Sequence, residues 1–150
     1  FSKTDYWHFD HILSLERTYK MKSGFLFYGG GNSGWLSALL DPSYDIEEPR
    51  LRQKLQSLSL EGVLIGLHPS FSTWQEPGPI QKQKDRLERV VMRPVKLCRQ
   101  HWMKFSWSST WNAQQTAGLE LDTTLGFNDR TGFRNGAALD FHPWDFISGN

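Results

Sequence analysis

The sequence predicts a single α/β domain built around a parallel sheet. Short continuous apolar runs, each bounded by turn residues, recur along the chain, and such runs are typical of strands that are buried on both faces. Amphipathic segments with helical spacing separate them, so that helix and strand alternate four times. The 150 residues are one domain's length, and a chain of this size buries about 70% of its unfolded surface.

The first helix and the first strand are predicted near the start of the chain. Apolar positions from about Asp5 to Lys20 predict an amphipathic helix. The run from Ser23 to Tyr28 predicts a buried strand, and a glycine-rich stretch ends it.

The rest of the chain repeats this alternation. Two acids and Pro49 are typical of a helix start, and Gly118 is typical of a helix end. The predicted segments are a helix from Glu47 to about Leu60, a strand at Val63–Leu67, a helix at about Ile80–Val91, a strand at Val95–Cys98, a helix at Ser109–Ala117, a strand at Leu119–Asp122 and a loop from Thr123 to Asn150.

Composition excludes several classes of protein. The 17 Lys and Arg residues nearly balance the 16 Asp and Glu residues, for a net charge of +1, so we expect no nucleic-acid partner. No apolar run approaches the roughly 20 residues of a bilayer span, so we expect no membrane partner. The single cysteine, Cys98, excludes an internal disulfide. The single cysteine and the absence of an opening segment of signal-peptide type favour a cytoplasmic location.

The stretch from Gly29 to Gly34 satisfies the pattern G-x-G-x-x-G after a predicted strand, as a dinucleotide-binding loop does. That motif needs a long helix whose N-terminus faces the pyrophosphate. Here Asp41 and Pro42 interrupt the following apolar stretch after about two turns. We therefore favour a strand-end loop, with nucleotide binding as the alternative.

Polar residues that can carry chemistry follow two of the predicted strands. His68 comes directly after the second strand, and Arg99 and His101 follow the third. Parallel α/β proteins place their chemistry at the carboxyl ends of strands. Imidazole is a frequent zinc ligand and general base, and an arginine can hold a carboxylate by two hydrogen bonds. His142 joins these residues if the chain brings it to the same edge.

Several segments together resemble a known family. They are Gly66 to Ser70, Arg99 to Trp102, Thr110-Trp111 with Ala117-Gly118, Asp122 to Phe127, and Asp129 to Gly136. In their order and spacing they resemble the polysaccharide deacetylase-like family, a branch of the carbohydrate esterases with the NodB-type fold.

The resemblance implies a distorted (β/α) barrel, of which about four βα units are visible, and a metal-dependent hydrolase. Its members remove acetyl groups from N-acetylated sugars with a divalent metal, often zinc. It also implies that residues 1–150 are a single domain of this type that lacks the first strand, which carries paired aspartates, and the last strands.

Carried over to this sequence, the resemblance makes His68 the first histidine of the metal motif. Four residues later Ser72 stands where the family has its second histidine. Arg99 resembles the arginine that orients a catalytic aspartate, and His101 stands where the family usually has a proline.

Two functions remain open. The first is an enzyme that acts on a polysaccharide or oligosaccharide and binds a divalent metal, most readily zinc, through His68. The other predicted catalytic residues are Arg99, His101, Asp129 and His142. The predicted sugar-binding residues are Trp74, Trp102, Arg134 and Trp144. Aromatic residues make up 14% of the chain, and their faces pack well on pyranose rings. The alternative is a non-catalytic carbohydrate-binding relative, which Ser72 and the missing aspartates favour.

Overall fold

The computed structural model describes residues 7–31, 34–144 and 149. At its centre lies a four-stranded sheet in which neighbouring strands are parallel and follow the order β1-β2-β3-β4. The strands are β1 (Gly24–Tyr28), β2 (Leu64–His68), β3 (Leu97–Cys98) and β4 (Leu121–Asp122). The predicted α/β class is therefore confirmed. The last two strands are shorter than predicted, because Val95 and Leu119 are buried in the core but lie outside the hydrogen-bonded ladder.

The helices of the described residues are α1 (Phe9–Tyr19), α2 (Trp35–Leu40), α3 (Pro49–Leu60), α4 (Pro77–Val91) and α5 (Thr110–Thr116). The carboxylate of Glu48 accepts hydrogen bonds from the N–H groups of Arg50 and Leu51, at 3.1 and 2.9 Å, and so caps the start of α3. Helix α4 begins three residues before the predicted start, because Pro77 takes the first helical position, where no N–H is needed. The predicted start of α1 lies outside the described residues.

Helix α1 buries less of its apolar surface than its pattern predicts. Leu13 is its one buried residue, whereas Leu15 and Tyr19 are exposed. Its contact with the sheet runs through the ring of Phe9, whose centroid lies 5.6 Å from that of Phe25 and 6.1 Å from that of Phe27. The first turn of the helix therefore packs on β1, and Leu13 joins the core behind it.

The two faces of the sheet differ. Phe27, Leu67 and Cys98 align across the first three strands and belong to the core that α3, α4 and α5 complete. On the other face Leu64 and Leu121 are 51% and 48% exposed. The prediction of a buried strand is therefore wrong for the amino-terminal half of β2, because this face has no cover there among the described elements; Leu121 of β4 is open on the same face.

Close packing on that second face explains why position 66 is a glycine. A Cβ atom at Gly66 would lie 2.6 Å from Cγ of Leu97 and 2.7 Å from Cδ2 of Leu26. These two leucines on the neighbouring strands therefore meet over Gly66, which lets the three strands pair closely there.

The chain after β4 has turns and bends in its described part, as the prediction of a loop requires. Gly126 and Phe133 form an isolated antiparallel bridge in it. The guanidinium of Arg134 donates to the carbonyl oxygens of Met103 and Thr124, at 2.8 and 2.9 Å. The loop is thereby fastened to the carboxyl edge of the sheet.

Candidate functional site

The carboxyl ends of β1, β2 and β3 bring three polar residues to one edge. Tyr28 is the register partner of His68, and Leu67 is the partner of Cys98. Arg99 therefore follows β3 directly beside His68, and its N–H donates to the carbonyl oxygen of Leu67 at 3.0 Å. His68 and Arg99 therefore lie side by side at this edge.

His101 reaches the same point from the turn after β3. Its Nδ1 lies 2.6 Å from Nε2 of His68. The two rings are 4.7 Å apart between centroids and nearly perpendicular, at 77°. The two nitrogens therefore lie close to the line that joins the ring centres.

The outer nitrogen of each ring is held by the backbone. Nδ1 of His68 donates to the carbonyl oxygen of Arg99 at 2.7 Å, and Nε2 of His101 donates to that of Leu40, also at 2.7 Å. Since a carbonyl oxygen only accepts, each outer nitrogen carries a proton. The inner nitrogens, Nε2 of His68 and Nδ1 of His101, therefore face each other across 2.6 Å.

Asp41 lies beside His101. Its Oδ1 lies 4.0 Å from Nε2 of His101, and its side chain is 3% exposed. Three donors hold the carboxylate in place: the N–H of Phe71 at 2.7 Å, the hydroxyl of Ser37 at 2.8 Å and that of Tyr28 at 3.3 Å. A buried carboxylate held this way is a fixed counter-charge for the pair.

Burial lowers the pKa of His68, and the neighbouring His101 lowers it further. A neutral His68 that donates from Nδ1 has a lone pair on Nε2. Nε2 of His68 therefore directs this lone pair towards Nδ1 of His101.

A strained turn carries His101. Residues His101–Met103 form a single 3₁₀ turn. Trp102 and Met103 both have left-handed φ values, 57° and 49°, which cost non-glycine residues of order 1–3 kcal/mol each. The turn leaves Trp102 60% exposed, with its ring centroid 5.7 Å from that of Phe71 and 6.3 Å from that of His101.

Buried polar residues behind the edge support this turn. The hydroxyl of Thr124 accepts from the N–H of Gln100 at 3.0 Å and donates to Asp122. Asp122 also accepts from Trp111 at 3.2 Å and from Gln114 at 3.1 Å. Burial raises the pKa of Asp122, against these hydrogen bonds. Through Thr124, Asp122 at the end of β4 therefore supports the segment from Arg99 to His101.

Cys98 lies beside this polar group. It is fully buried, and burial raises the pKa of its thiol well above the ordinary value. The thiol therefore stays protonated and packs as a small apolar group, in line with its position in a predicted buried strand.

Arg99 has a half-buried guanidinium that contacts the sulfur of Met103 at 3.5 Å. Across the described ranges no carboxylate pairs with it. The aspartate that the resemblance gives to this arginine is therefore not seen in this part of the chain. What remains is a cation at the carboxyl edge that is available to a ligand.

The other predicted site residues lie apart from the pair. Asp129 and His142 are exposed, and neither makes a hydrogen bond to His68 or His101 within the described part. Arg134 uses its guanidinium on backbone carbonyls, so it fastens the loop. The expected convergence of three histidines therefore holds for two of them.

The predicted tryptophans fall in three different places. Trp102 lies beside His101. Trp74 is half-buried, with Nζ of Lys104 5.0 Å from its ring centroid. Trp144 is 61% exposed near the end of the described residues. Of the three, Trp102 is the one that the structure places beside the histidine pair.

Sequence reasoning missed Asp41 and Leu40, which it treated as the interruption of a short apolar stretch. Helix α2 indeed has only six residues and begins after Gly34 at φ 99°, so no long helix follows the glycine-rich segment. One signal was visible: an acid and a proline directly after a short helix begin a loop, and such a carboxylate often caps neighbouring backbone.

A cavity of about 560 Å³ adjoins the site, a volume within the usual range for small-molecule pockets. Asp41 and Phe71 connect it to the histidine pair and to Trp102. Part of its lining consists of hydroxyls and glycine backbone, namely Gly29, Gly30, Gly31, Ser37, Ser70, Ser72 and Thr73, and part is charged, namely Asp41, Glu76, Lys82 and Arg86. The hydroxyls can bond to a ligand that carries hydroxyl groups of its own.

Comparisons of the chain with protein-family models, curated proteins and solved structures find no match. None of the described helices has the length and apolar character needed to cross a membrane.

The residues present fit part of a metal site. Nε2 of His68 faces away from its carbonyl anchor, as the nitrogen of a metal-bound histidine does. Ser72 is exposed and lines the cavity. In the part of the chain that is described, no three His, Cys, Asp or Glu side chains come together as a ligand set.

Proposed function

We propose that this chain carries the active-site edge of a metal-dependent hydrolase, which removes acetyl groups from the N-acetylated sugars of a polysaccharide. The observation that carries the proposal is the contact between His68 and His101 at the carboxyl edge of a parallel sheet, with Arg99 and an exposed Trp102 beside it. The same segments carry the resemblance to the polysaccharide deacetylase-like family.

The strand order supports the barrel that the resemblance implies. The four strands follow one another in chain order, as they do in a (β/α) barrel, whereas a doubly wound sheet reverses its order at a switch point. Right-handed crossovers in one direction place α3, α4 and α5 on the same face of the sheet. We propose that this sheet is one wall of such a barrel.

The site residues divide the work of an amide hydrolysis. His68 would hold the metal, and a bound divalent cation supplies a Lewis acid and an activated water. The guanidinium of Arg99, which has no acidic partner among the described residues, can stabilise the negative charge that develops on the carbonyl oxygen of the acetyl group. Asp41 keeps His101 oriented through its charge.

Sugar recognition falls to the surface beside the pair. The exposed ring of Trp102 offers a face on which a pyranose can stack. The cavity that begins at Phe71 can hold a neighbouring sugar unit through hydrogen bonds. Holding Trp102 in a strained turn next to His101 is a cost that a binding role explains.

Acetate release from hexa-N-acetylchitohexaose, with and without added Zn²⁺, tests the proposal. We expect zinc-dependent release that falls at least tenfold in His68→Ala and in Arg99→Ala, and that is unchanged in His11→Ala, a change at an exposed histidine of α1. No release above the protein-free control, or equal release by His68→Ala, overturns the proposal.

A second candidate is a carbohydrate-binding protein without catalysis. An aromatic cluster favours it: Trp107 and Trp111 pack at 5.3 Å between centroids, Phe105 packs on both, and Trp107 is 54% exposed. Binding of the hexasaccharide, followed by tryptophan fluorescence, separates the two candidates. Under the second one, His68→Ala binds the sugar as wild type does and no variant releases acetate.

A further inference from the structure

We propose that His101 is the second protein ligand of the metal site, in place of the histidine that Ser72 replaces. The two imidazoles then come from the ends of neighbouring strands, β2 and β3, rather than from one loop. The inference rests on the proposed function for the presence of a metal. The ligand class is a divalent cation that prefers imidazole, such as Zn²⁺ or Co²⁺.

The inner nitrogens have the directions that such a site requires. Nε2 of His68 and Nδ1 of His101 face each other at 2.6 Å, nearly on the line between the ring centres. No backbone carbonyl or carboxylate of the described residues bonds to either of these two atoms. These two nitrogens are therefore the atoms through which both rings can bind one cation.

The outer nitrogens supply the second feature. Metal-bound histidines usually donate their other N–H to a carbonyl or a carboxylate, which fixes the tautomer and the ring direction. Both rings do this here, His68 to the carbonyl of Arg99 and His101 to that of Leu40. A single histidine with such an anchor is common; here two adjacent rings are anchored in this way, and their inner nitrogens face each other.

Charged side chains lie on two sides of the proposed cation. The buried carboxylate of Asp41, 4.0 Å from Nε2 of His101, opposes the charge of the cation. The guanidinium of Arg99 acts in the other direction, so the site favours a cation that also binds an anionic ligand.

The rings need a small adjustment. Two nitrogens bound at about 2.0–2.1 Å to one tetrahedral zinc ion lie about 3.3 Å apart. The present contact is shorter, at 2.6 Å. A pivot of either ring about its carbonyl anchor would open the pair by the difference, and water or substrate would fill the remaining coordination positions.

Titration of the metal-free protein with Co²⁺, read by visible absorption and by calorimetry, tests the assignment. We expect one equivalent to bind to the wild type. His68→Ala and His101→Ala should each lose at least tenfold in affinity, whereas Ser72→Ala and His11→Ala should bind like the wild type. Circular dichroism checks that each variant is folded.

A second readout covers the case of a variant that does not fold. In ¹⁵N-labelled wild-type protein, binding of Zn²⁺ should shift the resonances of Nε2 of His68 and Nδ1 of His101 together, and leave those of His11 in place. The assignment is overturned if His101 does not shift, if His101→Ala keeps its affinity, or if no metal binds. Metal bound by both histidines without acetate release contradicts the proposed function and leaves the site intact.

Discussion

The hydroxyl of Thr124 accepts a hydrogen bond from the N–H of Gln100 at 3.0 Å, and both residues are fully buried. This contact joins the end of β4 to the segment that carries Arg99 and His101. The site at the edge of β2 and β3 is therefore supported from a strand that contributes no histidine to it.

Replacement of Thr124 by Val keeps the shape of the side chain and removes its oxygen. The N–H of Gln100 is then left without a partner, which costs about 1–3 kcal/mol in a buried position. We expect a lower free energy of unfolding by that amount in urea denaturation. Thr131→Val, at an exposed loop position, is the control and should be within about 0.5 kcal/mol of wild type. Equal stability of the two variants would contradict the role given to Thr124.

The raised pKa of Asp122 predicts a pH dependence of stability. Because the folded state favours the protonated acid, the stabilisation is complete below the carboxyl group's ordinary pKa, about 3.9. It is lost as the pH rises through the folded-state pKa. Wild type should therefore lose stability relative to Asp122→Asn as the pH increases from about 3 upward. Parallel stability curves for the two proteins would show that Asp122 does not titrate in this way.

The lowered pKa of His68 acts in the other direction. The folded state favours the neutral ring, so the stabilisation is present above the ordinary pKa, about 6.5, and is lost as the pH falls through the folded-state value. In metal-free protein we expect wild type to lose stability relative to His68→Asn between about pH 7.5 and 5. His11→Asn reports the contribution of an exposed histidine. A His68→Asn curve with the same acid slope as wild type is the contrary result.

Close packing over Gly66 predicts a cost for a single methyl group. In Gly66→Ala the new Cβ lies 2.6 Å from Leu97 and 2.7 Å from Leu26, and overpacking of this kind costs about 1–3 kcal/mol. Gly78→Ala, in the first turn of α4 with open space around it, should be neutral or slightly stabilising. Thermal unfolding of both variants checks this, and the loss in the double variant Gly66→Ala/Leu97→Ala should be smaller than the sum of the two single losses.

Replacement of Trp102 should affect the stability of the protein and its binding of sugar differently. Its left-handed φ of 57° costs an L-residue roughly 1–2 kcal/mol, which glycine does not incur. Trp102→Gly should therefore be no less stable than wild type, yet should lose affinity for the hexasaccharide. Trp107→Gly, at a comparably exposed tryptophan without this backbone conformation, should be destabilised. A marked loss of stability in Trp102→Gly would indicate a structural role instead.

Part of this molecule is predictable because it depends on short-range patterns. Apolar runs bounded by turn residues place β1 and β2 within one residue of their observed bounds. Placement of His68, Arg99 and His101 after strands, with parallel pairing, is enough to bring them to one edge. The contact between His101 and His68 could not be predicted in this way. It depends on the turn after β3, which places two residues in left-handed conformations.

Other parts depend on contacts that a linear pattern does not carry. Asp41 acts on His101 across 60 residues of chain, and its partners Tyr28 and Phe71 come from two further segments. His142 and Asp129 look like site residues because of their type and their loop, yet their exposure is set by how that loop lies on the sheet. Burial of α1 is overestimated for the same reason, since Leu13 is the one residue of this helix that the fold buries.

Because His68 and His101 belong to successive βα units, the chain between them must close a loop of 33 residues before the rings meet. A nascent chain that ends at α4 contains His68 but not His101, so it cannot form the histidine pair. The two rings therefore come into contact only when β3 pairs with β2. A probe that detects the paired imidazoles would also measure the rate at which the sheet assembles during folding.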